Sequence, residues 1–291
     1  VAVALGGAGD APEEGVGGLG EERLPDLVAL EDVVGEVDRE RTRRRWARSS
    51  VGAGLEAVLG VCERGAVRVD LVRAGPHALM AGTTGAGKSE LLTSWLLQLA
   101  LALPPQRLSF VLVDYKGGAA FGALTDLPHT AGLLTDLDPA LTTRALTSLE
   151  AEVGRRERLL AEYGAKDLSC LEAGAAPARL VIAVDEFAAL ASAHPEVLEG
   201  LMRVAAQGRS LGIHLILATQ RPAGAVSPAI RANTAVRVCL RVLDAADSVD
   251  VVGCDEAVRL GPRPGRLVVR GVEGAEHVAL QAPWCGDGAR V

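Results

Sequence analysis

Residues 82–89 read Gly-Thr-Thr-Gly-Ala-Gly-Lys-Ser and match the pattern G-x-x-x-x-G-K-[ST] at every fixed position. Glycines in such a loop let the backbone fold into a nest of inward-facing N–H groups that holds an anion. A helix that starts at the end of the loop points its positive dipole end at the same place. We therefore predict that Lys88 reaches the β- and γ-phosphates of a nucleotide and that the Ser89 hydroxyl contacts Mg²⁺.

Two adjacent carboxylates, Asp185 and Glu186, end an apolar run at residues 180–184. In nucleoside triphosphatases an acid at such a strand end helps to hold Mg²⁺, and a second acid can orient and deprotonate the attacking water. We assign Asp185 to the metal and Glu186 to the water. The competing interpretation is an acid pair that only caps the next helix.

Four further polar residues follow predicted strands or lie near the start of a predicted helix. Gln220 lies just beyond the apolar run 213–218, where it could sense the γ-phosphate or merely satisfy the backbone at the strand end. Asp114 and Lys116 follow the run 108–113, and loops at the carboxyl ends of parallel strands line ligand crevices. Arg144 lies near the start of a predicted helix, a position where an isolated arginine usually faces solvent.

The elements that must position these residues alternate between strands and helices. Nearly continuous apolar runs are typical of strands buried on both faces of a parallel sheet, so the sequence predicts an α/β fold with a mostly parallel central sheet flanked by helices. Strands are predicted at residues 77–81, 108–113, 180–184, 213–218, 236–242, 266–270 and 276–281, and helices at 90–103, 139–163, 196–208 and within 244–260.

The part of the chain before residue 75 has a different composition. Residues 1–22 are rich in Gly and acidic residues, so we expect a flexible extension. Within residues 23–74 we predict a strand at 24–30, a helix within 31–50 and a hairpin of strands at 55–61 and 67–71. We expect this segment to pack on the main domain at residues 75–291. A basic run at residues 39–45 is either a solvated helix face or a contact surface for a partner.

Composition excludes some classes of protein. The 291 residues carry a net charge of −7, so non-specific binding of nucleic acid by an overall basic field is excluded and only local patches could contact it. The five cysteines form no CxxC pair and are expected to be free thiols. No apolar run approaches the ~20 residues that span a bilayer. Because an initiator Met and a signal peptide are missing, we expect a piece of a longer protein.

Six segments, in this order, resemble the FtsK/SpoIIIE family of ring-forming ATPase motors: GTTGAGKSELL, DYKGGAAF, LPHTAGLLTDLD, VDEFA, GRSLGIHLILATQRPAG and IRANT. The resemblance covers residues 75–265. One branch of the family moves double-stranded DNA, and the other comprises the type VII (ESX) secretion motors EccC and EssC. The pairing of DYKGG with LPHTAGLLTDLD, followed by a RAL-x-SL helix, is more similar to the secretion branch. The Arg-rich, Lys-poor composition suits a GC-rich actinobacterium.

This resemblance implies a RecA-like P-loop NTPase fold, Mg-ATP as substrate and a hexameric ring with ATP at the subunit interfaces. It implies Asp185 as the Mg²⁺ acid, Glu186 as catalytic base, Gln220 as sensor, and Arg144 as an arginine finger acting in trans, with Arg237 as second choice. The implied nucleotide-binding residues are Gly82, Thr83, Thr84, Gly85, Ala86, Gly87, Lys88, Ser89 and Glu90, with Ser89 and Asp185 on the metal.

Three functions remain open from the sequence. The first is a protein-secretion motor that works in the cytoplasm at the inner face of the membrane, within a membrane-anchored full-length protein and together with other ATPase modules. The second is a translocase of double-stranded DNA. The third is a regulatory nucleotide-binding module that scarcely turns over.

Overall fold

The computed structural model of the protein describes residues 24–50, 52–115, 120–135, 139–172 and 174–286. Within these residues ten strands form one sheet in the order β2-β1-β10-β9-β8-β3-β7-β6-β4-β5. Helices pack against the sheet, and apolar side chains fill both interfaces in two clusters of buried residues. The predicted α/β class with a mostly parallel sheet is confirmed.

Six parallel strands make up the half of the sheet that carries the candidate site. Every residue is buried in three of these strands, as the apolar runs in the sequence predicted for strands covered on both faces. Their bounds are β3 His77–Ala81, β4 Leu108–Asp114, β5 Thr130–Thr135, β6 Arg179–Asp185, β7 Ile213–Thr219 and β8 Val236–Leu240.

Four antiparallel strands extend the same sheet beyond β8. They are β1 Glu56–Cys62, β2 Gly65–Asp70, β9 Arg266–Arg270 and β10 Val278–Gln281. The hairpin β1–β2 matches the hairpin predicted from the sequence, and its strand β1 pairs with β10. The segment before residue 75 therefore shares a hydrogen-bonded sheet with the residues that follow it.

Helices lie on both faces of the sheet. On one face α3 packs on β1, and α2 is fixed to α3 by a hydrogen bond from Trp46 Nε1 to the Ala100 carbonyl (2.9 Å). On the other face α4 packs on α6, and α6 packs on β7. The bounds are α1 Leu30–Val34, α2 Arg39–Arg48, α3 Lys88–Ala102, α4 Pro139–Glu162, α5 Phe187–Ala193, α6 Pro195–Leu211, α7 Pro228–Asn233, α8 Ala245–Val252 and α9 Glu256–Arg259.

Several predicted elements differ from the structure. The strand predicted at residues 24–30 is wrong: Ala29 makes only an isolated bridge to Trp284, and α1 starts at Leu30. The helix predicted within 31–50 is split into α1 and α2, because Gly35 at φ 74° ends the first helix and Asp38 caps the second. Strand β5 and helices α5 and α7 were not predicted, since each is short and its apolar pattern is interrupted.

The buried guanidinium of Arg156 ties α4 to the edge of the sheet opposite the candidate site. It donates to the carbonyls of Leu211 (2.7 Å) and Gly212 (3.2 Å) at the end of α6 and to that of Ala178 (2.8 Å) just before β6. Its Nε donates to Glu152 (2.7 Å), which Arg155 also contacts from the solvent side. One side chain thus satisfies three backbone carbonyls, two of them in buried hydrogen bonds and one in a part-buried bond.

The carboxyl group of Glu152 couples this contact to pH. Desolvation raises its pKa, but the hydrogen bonds and charges of Arg155 and Arg156 outweigh that effect and lower the pKa from 4.5 to about 2. A carboxylate whose pKa is lowered by folding stabilises the folded state above its unfolded pKa. That contribution is lost as the pH falls from about 4.5 to about 2.

We expect Arg156→Met to lower the free energy of unfolding by about 3 kcal/mol at pH 7, because it leaves buried carbonyls and a carboxylate without their partner. Urea denaturation at pH 7 and at pH 3 measures this loss, and the variant should also lose part of the acid sensitivity of the wild type. The matched control is Arg155→Met, which removes an exposed partner of the same carboxylate and should change stability by less than about 1 kcal/mol. Equal losses in the two variants would show that the buried contact is unimportant.

Candidate active site

The phosphate loop leaves the carboxyl end of β3 and is held on both sides by backbone hydrogen bonds. Gly82 N donates to the Thr219 carbonyl (3.3 Å) at the end of β7, and Thr83 N donates to the Arg241 carbonyl (3.1 Å) just after β8. The loop then turns through Gly85 at φ 78° and Gly87 at φ 93° before α3 begins. Both angles lie in the left-handed region, which only glycine adopts without strain.

The loop leaves backbone donors free for an anion. Within the described residues, the N–H groups of Gly85, Gly87, Lys88 and Ser89 donate to no carbonyl or side-chain oxygen. A run of unpaired N–H groups at a left-handed turn and a helix start is the usual construction of a phosphate nest. The predicted loop therefore has the donors that a polyphosphate needs.

Lys88 and Asp185 meet at the base of the loop. The Lys88 ammonium forms an ion pair with an oxygen of the Asp185 carboxylate, and the two side chains are only 3% and 6% exposed. Asp185 ends β6, and β7 separates β6 from the loop strand β3 in the sheet. The structure thus brings together the two residues that the sequence placed on either side of a bound Mg-nucleotide.

Glu186 follows Asp185 in a left-handed conformation, with φ 63° and ψ 52°. The side chain is buried, and its Oε1 accepts from Thr219 Oγ1 (2.8 Å) and from Gln220 N (3.2 Å). A non-glycine residue held at positive φ stores strain that the surroundings must sustain, and such residues concentrate at functional sites. The backbone turn and the tip of β7 together fix the direction of this carboxylate.

Gln220 connects the tip of β7 to the phosphate loop. Its Oε1 accepts from Thr84 Oγ1 (2.8 Å), and its N–H donates to Glu186. The same residue therefore contacts the loop with its side chain and the second carboxylate with its backbone. Gln220 therefore satisfies local groups at the strand end, and its sensor role stays a prediction.

A cleft of about 650 Å³ opens beside these residues. Glu186 and Gln220 line it on one side, α5 contributes small side chains, and the turn after β7 closes it with Arg221. Glu186 lines the cleft although it is only 4% exposed. A water molecule or a group from a neighbouring protein could approach the site through this opening.

The two arginines considered as fingers lie in different surroundings. Arg144 is exposed on α4, and within the described residues its guanidinium makes no hydrogen bond or ion pair. Arg237 is partly buried and donates to the carbonyls of Thr234 (3.2 Å) and Arg231 (2.7 Å) at the end of α7. Of the two, Arg144 is the one whose guanidinium is exposed and unpaired among the described residues, and the finger role of either arginine stays a prediction.

Lys116, singled out from the sequence, lies outside the described residues. Asp114, which ends β4, is described: it is buried, pairs in register with Asp185 and accepts from Ala120 N (2.9 Å). Ser89 and Glu90 occupy the first turn of α3, where Glu90 is exposed.

Sequence reasoning missed two parts of the site. Thr219 holds the carboxylate of Glu186, although as the last residue of an apolar strand it had no recognisable signal apart from its position before Gln220. The Ala86 carbonyl accepts from Gly265 N (2.8 Å), just before β9, and a Cβ on Gly87 would lie 2.6 Å from the same nitrogen. Only the fold reveals contacts between residues so far apart in sequence.

The sequence matches the FtsK/SpoIIIE family over residues 36–179 and 172–224, most of its length. The chain belongs to the FtsK/SpoIIIE family. Both the predicted family and the predicted fold class are thereby confirmed, and membership of this ATPase family supports the binding of ATP.

Two similar proteins belong to type VII secretion systems. The type VII secretion system protein EssC of Staphylococcus aureus (strain Mu50 / ATCC 700699) is 35% identical over 275 residues, which are 90% of this chain and 18% of EssC. The cytoplasmic domain of the type VII secretion ATPase EccC of Thermomonospora curvata superimposes with a TM-score of 0.78 at 30% identity, covering 89% of this chain and 32% of EccC. The chain therefore spans less than a fifth of the length of EssC.

A third similar structure contains a nucleotide analogue. It is the monomer of the pCW3 conjugation coupling protein TcpA with ATPγS, with a TM-score of 0.72 at 25% identity over 91% of this chain and 72% of TcpA. Among the described residues of the present chain, no helix is long and apolar enough to cross a membrane.

The residues of the site fit Mg-ATP. The free N–H groups of the loop and Lys88 match polyphosphate, and the Ser89 hydroxyl and the Asp185 carboxylate are the hard oxygen ligands that Mg²⁺ prefers. Ser89 directly follows Lys88, and Asp185 is paired with that same lysine, so both oxygen ligands lie next to the phosphate nest. ATP with Mg²⁺ therefore suits this site on the chemistry of its donors.

We expect Gly87→Ala to damage the phosphate loop more than Gly85→Ala does. Both positions have positive φ, which costs a new side chain about 1 kcal/mol, but only at Gly87 would the added Cβ also meet the backbone of Gly265. Urea denaturation and nucleotide binding by fluorescence should show a loss of about 2–3 kcal/mol and weak binding for Gly87→Ala. Gly85→Ala, with open space around it, is the matched control, and equal losses would disprove the close approach to Gly265.

Proposed function

We propose that this chain is an ATP-hydrolysing module of a type VII secretion motor. One observation supports this most strongly: three features lie together at one edge of the parallel sheet. They are the unpaired N–H groups of the phosphate loop, the Lys88–Asp185 ion pair and the Glu186 carboxylate hydrogen-bonded to Thr219. The similarity to EssC and EccC supports secretion as the process. Residue roles, turnover and assembly are our proposals.

Nucleotide binding exchanges the partner of Lys88. Without a triphosphate, the buried ammonium and the Asp185 carboxylate neutralise each other, which avoids two unpaired charges away from water. A triphosphate in the nest would offer Lys88 phosphate oxygens, and the Asp185 carboxylate and the Ser89 hydroxyl are the groups that would hold Mg²⁺. Mg²⁺ bound there would neutralise negative charge on the phosphates.

Glu186 accepts the proton of the attacking water. Thr219 and the Gln220 N–H hold its carboxylate, and the cleft that Glu186 lines gives water a route. Gln220 also contacts Thr84 of the loop, so a change at the γ-phosphate reaches Glu186 through one residue. Orientation of a water by a fixed base is worth about 10²–10⁴-fold in rate.

Arg144 completes the site of a neighbouring subunit. Its exposed guanidinium has no partner among the described residues of its own chain, as expected of a group that acts in trans. An arginine finger stabilises the charge of the transition state and contributes about 10³–10⁵-fold in related phosphoryl transfers. The proposed assembly is a ring, in which each module lends Arg144 to the next.

Protein rather than DNA is the proposed cargo. The net charge of −7 gives no general attraction for DNA. Two of the arginines in the basic run on α2 form local ion pairs, Arg41 with Glu36 and Arg44 with Glu40. These pairs favour a solvated helix face over a DNA-binding patch. A DNA translocase would be indicated by ATPase activity that DNA stimulates and that salt suppresses steeply.

We expect Glu186→Gln to retain ATP binding while hydrolysis falls by about 10²–10⁴-fold, because the amide can orient water but cannot take its proton. Binding by fluorescent nucleotide and turnover by phosphate release, both in the assembled protein, measure the two effects separately. Lys88→Ala is the control that loses binding itself. Unchanged turnover in Glu186→Gln would remove the catalytic assignment, and an inactive wild-type assembly would favour a nucleotide-dependent switch.

We expect Arg144→Ala to lose hydrolysis in the ring and to regain part of it when mixed with Glu186→Gln subunits. In mixed rings a Glu186→Gln subunit lends its intact Arg144 to a site that still has Glu186. Arg158→Ala, an exposed arginine on the same helix, is the control and should remain active. If the mixture is no more active than its two components, the in-trans role of Arg144 is excluded.

A further inference from the structure

A second cavity, of about 390 Å³, lies at the edge of the sheet opposite the phosphate loop. Arg179 begins β6 and His214 is the second residue of β7, so the cavity lies where these two strands start and the candidate active site lies where they end. Strands of seven residues place the two sites about 20 Å apart. The lining is Val72, Lys166, Asp167, Leu168, Ser169, Arg179, Ala206, Gln207, Arg209, Ser210 and His214.

At the base of this cavity is a buried guanidinium whose donors have no hydrogen-bond partner. Arg179 is only 5% exposed, yet within the described residues its guanidinium makes no ion pair or hydrogen bond. The carboxylates of Asp70 and Asp167 attract its charge through space, but neither contacts it: Asp70 accepts from Leu55 N (2.9 Å), and Asp167 accepts from Ser169 N (2.8 Å). Buried donors without acceptors are costly, so an anion that accepts from the guanidinium would be stabilised at this position.

His214 adds an unsatisfied nitrogen to the same cavity. The side chain is 1% exposed, and its Nδ1 donates to the Pro76 carbonyl (3.1 Å). Its Nε2 is buried and has no partner among the described residues. Desolvation, with smaller effects of Arg179, His77 and Arg156, lowers its pKa to about 3. The imidazole is therefore neutral at pH 7, and its Nε2 is a hydrogen-bond acceptor without a donor among the described residues.

The rim supplies the remaining recognition groups. Lys166 and Arg209 are exposed at the mouth, and hydroxyl groups of Ser169 and Ser210 line the wall. Three cations and the carboxylate of Asp167 leave a surplus of two positive charges. That surplus, the planar donor fork of Arg179 and the hydroxyls suit a phosphate dianion better than a singly charged carboxylate.

We propose that the cavity between the starts of β6 and β7 binds a phosphate group, held by Arg179 and His214 at the base and by Lys166 and Arg209 at the mouth. The group belongs to free phosphate or to a small phosphate ester, for which the cavity has room. On binding, His214 takes up a proton and its Nε2 donates to a phosphate oxygen. This site is separate from the nucleotide site and does not depend on the proposed ATPase activity.

The test uses Lys88→Ala protein, which weakens phosphate binding at the phosphate loop, and compares inorganic phosphate, glycerol phosphate and chloride at equal ionic strength. We expect phosphate at about twentyfold above its Kd to raise Tm by about 5 °C and chloride to have no effect. A larger shift with glycerol phosphate identifies an ester as the ligand, and a larger shift with inorganic phosphate identifies the free ion. No difference between phosphate and chloride would overturn the proposal.

Two variants in the same background locate the effect. Arg179→Met should abolish the phosphate shift without lowering Tm in chloride, because it removes a buried guanidinium that has no hydrogen-bond partner. Lys166→Met, at the exposed mouth, should weaken phosphate binding about threefold to tenfold without disturbing the fold. Arg158→Met is the control and should behave like its parent. Retention of the full phosphate shift in Arg179→Met would refute the assignment.

The ring of His214 gives a direct readout by NMR. Because the ring is neutral at pH 7 with a pKa of about 3, proton uptake on binding requires phosphate to raise the pKa of His214 above 7, while the buried ring of His129, which contacts the Leu103 carbonyl, should not respond. A shift of His129 as large as that of His214, or none in either, would contradict binding at this cavity.

Discussion

The ion pair between Lys88 and Asp185 is the contact on which the site depends, because two opposite charges removed from water must remain together until other charges replace them. It joins the phosphate loop to the carboxyl end of β6 across the intervening strand β7. The pair fixes the position of both side chains at the base of the loop. In the proposed function, phosphate oxygens would replace the carboxylate as partner of Lys88, and Mg²⁺ would replace the ammonium as partner of Asp185.

The order of strands explains why one short segment coordinates the site. Strand β7 lies between β3 and β6, so the residues after its last position contact both neighbours. Thr219 and Gln220 hold Glu186 on one side, and Gln220 contacts Thr84 on the other. A parallel sheet brings these ends together at one edge, whereas an antiparallel arrangement would have sent alternate ends to opposite edges.

Much of this arrangement could be predicted from sequence. The loop motif fixed Lys88 and Ser89, and fully buried strands left apolar runs that ended at Asp185 and before Gln220. Short elements could not be predicted, because a six-residue strand such as β5, with alternate exposure, leaves little periodic signal. The first helix was misjudged, since its start is determined by a bridge to Trp284 that lies far away in sequence.

The unpredicted parts of the two sites share a physical cause. The conformation of Glu186, the contact between Gly87 and Gly265, and the unpaired guanidinium of Arg179 all arise from tertiary packing rather than from local preference. A positive φ at a glutamate contradicts its intrinsic tendency, and a charged residue opening a buried strand contradicts the apolar pattern. Residues whose conformation or burial contradicts their intrinsic preference concentrate at functional sites.

The bridge near the two ends of the described chain has a topological consequence. Trp284 N donates to the Val28 carbonyl (2.8 Å), and Leu30 N donates to the Trp284 carbonyl (2.9 Å), so these distant residues are neighbours in space. The backbone at Val28 and the backbone at Trp284 are therefore adjacent in the folded domain. Close termini are the usual condition for inserting a domain into a larger protein or for circular permutation, and this domain meets it.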